Sequence, residues 1–110
     1  MKKTVLITGG SRGIGKATSL EFAKHGYNIV INYVNDDISA KNLKSYIVEN
    51  YDVDVMLCKC NVSSEDGVKG MVNSIIDNYG NIDVLVNNAG IAIDTTFDDK
   101  KIEDFKKILD

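Results

Sequence analysis

The chain has no proline and no tryptophan, a single histidine and only two cysteines among 110 residues. Without proline it has no Pro-rich linker or stalk. His25 stands beside Gly26 at the end of a helical pattern, where it complements the helix C-terminus and is not positioned for catalysis. Cys58 and Cys60 are two apart in an apolar run, so they share one face of a strand and are poorly placed to bridge. Their spacing is also wrong for a zinc site, and reduced core cysteines of a cytoplasmic protein are the expectation. No stretch approaches the roughly 20 apolar residues of a membrane helix. The basic Met1-Lys2-Lys3 is followed only by Val5-Leu6-Ile7, far short of a signal-peptide core. Excess positive charge is missing too: the net charge is -3, which argues against nucleic acid or an anionic membrane as the main partner. There is no internal repeat, low-complexity tract or domain boundary, and the length suits one domain.

What is present is an alternation of apolar β-branched runs with helical patterns. Thr4-Val5-Leu6-Ile7, Asn28 to Tyr33, Asp54 to Cys60 and Asp83 to Val86 read as strands. Between them, Gly13 to His25 reads as a helix with Ile14, Ala17, Leu20 and Ala23 inward. A second helix is capped by Asp36 or Asp37 and places Leu43, Tyr46 and Ile47 on one face. Val68, Met71, Val72, Ile75, Ile76 and Tyr79 make the apolar stripe of a third, capped by Ser63 or Ser64 and stopped by Gly80. A fourth helix is expected from about residue 98 to 109. The order βαβαβαβα, with strands apolar on both faces, predicts an α/β fold: a doubly wound parallel sheet ordered 3-2-1-4. In that order the fourth strand is an unguarded apolar edge.

Thr8-Gly9-Gly10-Ser11-Arg12-Gly13-Ile14-Gly15 lies between the first strand and the first helix. A helix N-terminus offers unpaired N–H groups and about half a positive charge, which attract phosphate. Gly9 allows the sharp turn, Gly13 lets backbone approach a pyrophosphate, and Gly15 allows close helix packing. The Gly-x-x-x-Gly-x-Gly spacing, with Asn87-Asn88-Ala89-Gly90 after the fourth strand, resembles the short-chain dehydrogenase/reductase family along essentially the whole chain. The resemblance implies a Rossmann-type sheet and a nicotinamide dinucleotide. It makes residues 1–110 the cofactor-binding N-terminal half of such a domain.

An acidic residue at the end of the second strand would accept from the ribose hydroxyls of NAD and repel the 2′-phosphate of NADP. Asn32-Tyr33 stands there instead, and Arg12 can reach the same ribose, so NADP(H) is the expected cofactor. By resemblance, Asn61 and Val62 bracket the adenine, although many relatives carry Asp at the first of these positions. Asn88, Ala89 and Gly90 are expected to line the nicotinamide ribose, with Ile14 and Ser11 completing the phosphate loop. Asn87 and Asp83 are expected to be structural, and Asp94, Asp98 and Asp99 to be a solvated loop and cap without metal.

Catalysis in this family uses a Ser, a Tyr, a Lys four residues after the Tyr, and an Asn. None of Tyr27, Tyr33, Tyr46, Tyr51 and Tyr79 has such a Lys. No catalytic residue is therefore assigned, and the chain is expected to be an inactive fragment. The alternative is a stand-alone dinucleotide module that completes its sheet with a partner. Within the family the motifs look most like those of bacterial 3-oxoacyl-[acyl-carrier-protein] reductases of fatty-acid synthesis. That likeness implies NADPH reduction of an acyl-carrier-linked ketone by a cytoplasmic homotetramer. Alcohol and glucose dehydrogenases share nearly the same half.

Overall fold

Strand β1 (Thr4–Thr8) is buried along its entire length, with Val5 and Ile7 on one face and Leu6 on the other. The computed structural model describes residues 2–87 and the backbone of 91–94. Helix α1 (Gly13–Lys24) returns the chain to β2 (Asn28–Tyr33), and α2 (Asp37–Asn50) to β3 (Val55–Lys59). Helix α3 (Glu65–Tyr79) leads to β4 (Val84–Asn87), followed by β5 (Ile91–Asp94). The sheet order is β3-β2-β1-β4-β5, so the 3-2-1-4 arrangement read from the sequence is the one found. Pairing among the first four strands is parallel throughout, with Val5 opposite both Ile29 and Val84.

Each face of the sheet has its own core, which is why the strands read as continuous apolar runs. Val5, Ile7, Ile29, Ile31, Val55 and Val84 pack with Ala23, Leu43 and Ile47 of α1 and α2. Leu6, Val30, Cys58 and Leu85 pack beneath Val68, Met71, Val72 and Ile75 of α3. Ile76 and Tyr79 border that second core, so the whole predicted stripe of α3 faces the sheet. Burying a side chain of this size contributes about 1.5–3 kcal/mol. Cys58 is a free thiol inside that core, and burial pushes its pKa up to about 11. Cys60 is free and half-buried.

Three expectations are corrected. The buried face of α1 is Gly15, Ser19 and Ala23, while Ile14 and Ala17 are exposed. The helix seats against the turn through its smallest residues, and that rotates Ile14 outward. On α2 the buried residues are Ala40, Leu43 and Ile47; Tyr46 is half-exposed over a cleft between α1 and α2. Finally, β4 is not an edge. The chain itself supplies β5, antiparallel to β4 with Asn87 opposite Ile91, and this pairs the backbone groups that would otherwise be open. The predicted fourth helix lies outside the described residues.

The seating of α1 is unusually close. A Cβ added at Gly15 would lie 2.0 Å from the carbonyl oxygen of Gly9 and 2.8 Å from Cα of Gly10. Gly70, in contrast, is a helical position where an added Cβ meets nothing within 4 Å. The same substitution should therefore act with opposite sign at the two sites. Gly70→Ala should raise stability by about 0.5–1 kcal/mol through helix propensity. Gly15→Ala should lower it by about 3 kcal/mol or more by forcing helix from turn. Urea denaturation followed by far-UV circular dichroism measures both.

Candidate functional site

The carboxyl ends of β1, β2, β3 and β4 lie side by side, and the residues singled out by the sequence follow or end those strands. Gly9 (φ 61°) and Gly13 (φ 54°) both occupy the left-handed region that favours glycine. Between them the turn is held at several points. Gly10 N–H donates to the Asn32 carbonyl at 3.1 Å. A Cβ on Gly10 would press on Ile7 O at 3.1 Å and on Ile31 Cγ2 at 3.3 Å. The buried Ser19 hydroxyl donates toward Gly15 O at 2.8 Å and Gly10 O at 3.2 Å, fastening helix to turn. Thr8 Oγ1 reaches Val86 O at 3.4 Å and Asn87 Oδ1 at 3.5 Å, so Asn87 helps join β1 to β4.

The three described helices differ at their N-termini. In α2, Asp36 Oδ1 accepts from Ser39 N–H, and Asp37 stands in the first turn. In α3, Ser64 Oγ accepts from Gly67 N–H, and Glu65 and Asp66 follow. Helix α1 has neither device: its N-cap, Arg12, makes no side-chain capping bond, and no acidic residue lies in the first turn. An added Cβ at Gly13 would meet nothing within 4 Å, so the approach to this terminus is open. A helix N-terminus without such groups favours an anion.

Gly9, Ser11, Arg12, Gly13, Ile14 and Tyr33 line one cleft of about 390 Å³, together with Val34, Asn35 and Asp36. Six residues named from the sequence thus meet in one place. Gly10 and Gly15 lie beneath, as packing surfaces. Ser11 is 6% exposed and also borders a second cleft, of about 610 Å³, with Lys16 and Ser39. Arg12 leans toward Asp36, with NH1 3.7 Å from Oδ2. Asn61 lies apart, in a third cleft beside Ser64 and Gly67. Its Oδ1 accepts from Ser63 N at 3.0 Å and Ser63 Oγ at 2.8 Å. Val62 packs against the α3-side core. Asn88, Ala89 and Gly90 lie outside the described residues.

At the β2 tip the two neighbours take different parts. Asn32 is buried, and its Nδ2 donates to the Cys60 carbonyl at 2.9 Å and the Cys58 carbonyl at 3.2 Å. Tyr33 faces the cleft. Burial raises its pKa, and a hydrogen bond to Asp37 raises it further, so it remains a neutral phenol. Asp37 is held below the usual carboxylate range by that bond and by Lys59, whose Nζ donates to Oδ2 at 3.2 Å. Asp83 is structural as expected, accepting from Thr4 N–H at 2.8 Å. Asp36 and Lys16 were not singled out as site residues. Asp36-x-x-Ser39 is a visible capping signal, but its nearness to Arg12 comes only with the fold.

No helix among the described residues is long and apolar enough to cross a membrane. The family model described as short chain dehydrogenase matches residues 3–110. The 3-oxoacyl-[acyl-carrier-protein] reductase FabG of Staphylococcus aureus strain Mu50 is 36% identical, aligned with 100% of this chain and 44% of its own length. Glucose 1-dehydrogenase 2 of Bacillus subtilis is 32% identical over 98% of this chain and 42% of its length. The chain therefore spans less than half the length of these curated relatives. A crystal structure of a short chain dehydrogenase from Bacillus anthracis superposes with TM-score 0.69 at 32% identity, covering 76% of this chain and 34% of that one. With a glycine turn between β1 and α1 and a family match along nearly its whole length, the chain belongs to the short-chain dehydrogenase family.

Proposed function

We propose that this chain is the dinucleotide-binding part of an NADPH-dependent carbonyl reductase whose substrate is a 3-oxoacyl group on acyl carrier protein. The observation that carries the reading is the uncapped, acid-free N-terminus of α1 behind an open glycine turn. The two other described helices close that position with their own side chains. When bound, the cofactor supplies hydride to a ketone carbon; the residues described here hold it. The backbone from Gly9 to Gly15 receives the pyrophosphate. Arg12 receives the 2′-phosphate through its guanidinium, and Ser11 and Tyr33 border the same ribose. Asn61 and Val62 meet the adenine, where Asn61 Oδ1 must share its lone pairs with Ser63. Asn88, Ala89 and Gly90 complete the nicotinamide side.

The substrate assignment leans on the staphylococcal relative. The Bacillus subtilis relative favours a second reading, a sugar or alcohol dehydrogenase built on the same half. Assay of the whole enzyme with a 3-oxoacyl thioester and with glucose separates them. The chemical step belongs to a Tyr and Lys that these residues do not provide, and a non-catalytic dinucleotide module shares that property. The whole enzyme is proposed to be a cytoplasmic homotetramer.

Two outcomes test the proposal. Arg12→Ala should weaken NADPH binding about 10- to 100-fold, the loss of a charge-assisted contact, with far less effect on NADH. Tyr33→Asp should shift preference toward NADH. Fluorescence titration with both cofactors reads the split, and equal losses for the two would refute the assignment. Separately, the purified 110-residue chain should show no ketone-dependent oxidation of NADPH; turnover at 340 nm would place the chemistry within these residues.

A further inference from the structure

We propose that Asp36 is a specificity-determining residue: its carboxylate competes with the cofactor's 2′-phosphate for Arg12 and so restrains the preference for NADPH. This rests on the reading of Arg12 as the phosphate contact. Asp36 sits where β2 passes into α2 and lines the same cleft as Arg12. Its carboxylate has three contacts. Oδ1 accepts from Ser39 N at 3.0 Å, Oδ2 accepts from Ser39 Oγ at 2.8 Å, and Oδ2 lies 3.7 Å from Arg12 NH1.

The first two contacts cap α2 and need an oxygen, not a charge. Asn and Ser cap helices about as well as Asp. The capping bonds therefore do not depend on the charge, which adds a modest helix-dipole interaction in α2 and also acts on what lies across the cleft. The Ser39 bonds, with a smaller contribution from Arg12, hold the carboxyl below its usual range, so it is ionised at neutral pH. The nearby cation Lys59 is engaged by Asp37. Arg12 and Asp36 thus present a near-neutral pair to an arriving ligand. A phosphate dianion must draw Arg12 away and then sit beside a carboxylate, whereas an unmodified ribose meets neither obstacle.

The test uses Asp36→Asn and Asp36→Ser in the full chain. Isothermal titration calorimetry is run with 2′,5′-ADP and 5′-AMP, the adenosine halves of the two cofactors, and circular dichroism melts monitor folding. Both variants should bind 2′,5′-ADP about three- to tenfold more tightly, the scale of an exposed charge interaction plus relief of repulsion, with 5′-AMP nearly unchanged. The gain should shrink at about 0.5 M salt and in an Arg12→Ala background. Unchanged or weaker 2′,5′-ADP binding by natively melting variants overturns the inference. So does weakened 5′-AMP binding, which would make Asp36 a ribose acceptor. If Arg12→Ala fails to separate the two probes, or the native chain binds neither, the reading of Arg12 falls, and this inference with it.

Discussion

The backbone of α1 meets the backbone of the preceding turn at Gly15 and Gly9 with no room for a methyl group between them. That contact determines where the first turn of the helix sits relative to the end of β1. Ser19 then fastens it with bonds to Gly10 and Gly15. Because helix and turn are locked together, the N–H groups of the first helical turn are held in a fixed direction above the sheet edge. A binding site made of backbone needs this kind of rigidity, since backbone groups cannot re-aim by rotating a side chain.

Much of this arrangement is legible in the sequence because burial imposes periods. Strands covered on both faces must be apolar at their centres, and β1 (Val5-Leu6-Ile7) and β2 (Ile29-Val30-Ile31) are. A helix lying on a sheet must show a stripe, and α3 shows one from Val68 to Tyr79. Helix α1 defeats the same logic, since it docks through Gly15, Ser19 and Ala23. Size, not hydrophobicity, selected its buried face, and a search for apolar residues at helical spacing picks Ile14 and Ala17 instead. The covering of β4 by β5 was missed for a different reason. Strand order follows from crossover rules, but antiparallel addition of Ile91–Asp94 depends on a connection too short to carry a helix.

The residues of the site divide along similar lines. Glycines at a strand-to-helix turn announce themselves by spacing, and Arg12 by standing inside it. The partition between Asn32 and Tyr33 was not legible: adjacent residues on a strand face opposite sides, and which side meets the cleft depends on where the helices lie. Asn61 illustrates the same dependence, since its carbonyl oxygen is already engaged by the turn that starts α3. Charges three or more residues apart in different loops, such as Arg12 and Asp36, come together only in three dimensions.

Asn32 has a mechanical consequence for the sheet. Slipping β3 past β2 by two residues would keep each side chain on its face, because side chains repeat with that period, but it would set Lys59 opposite Ile31 or Asp54 opposite Val30. Asn32 adds a tie at the carboxyl end of this pair: its amide donates to the carbonyls of Cys58, inside β3, and Cys60, just past it. Together with the bond from Cys60 N–H to the Tyr33 carbonyl, it fixes the point where the chain leaves β3, and the following loop starts from there.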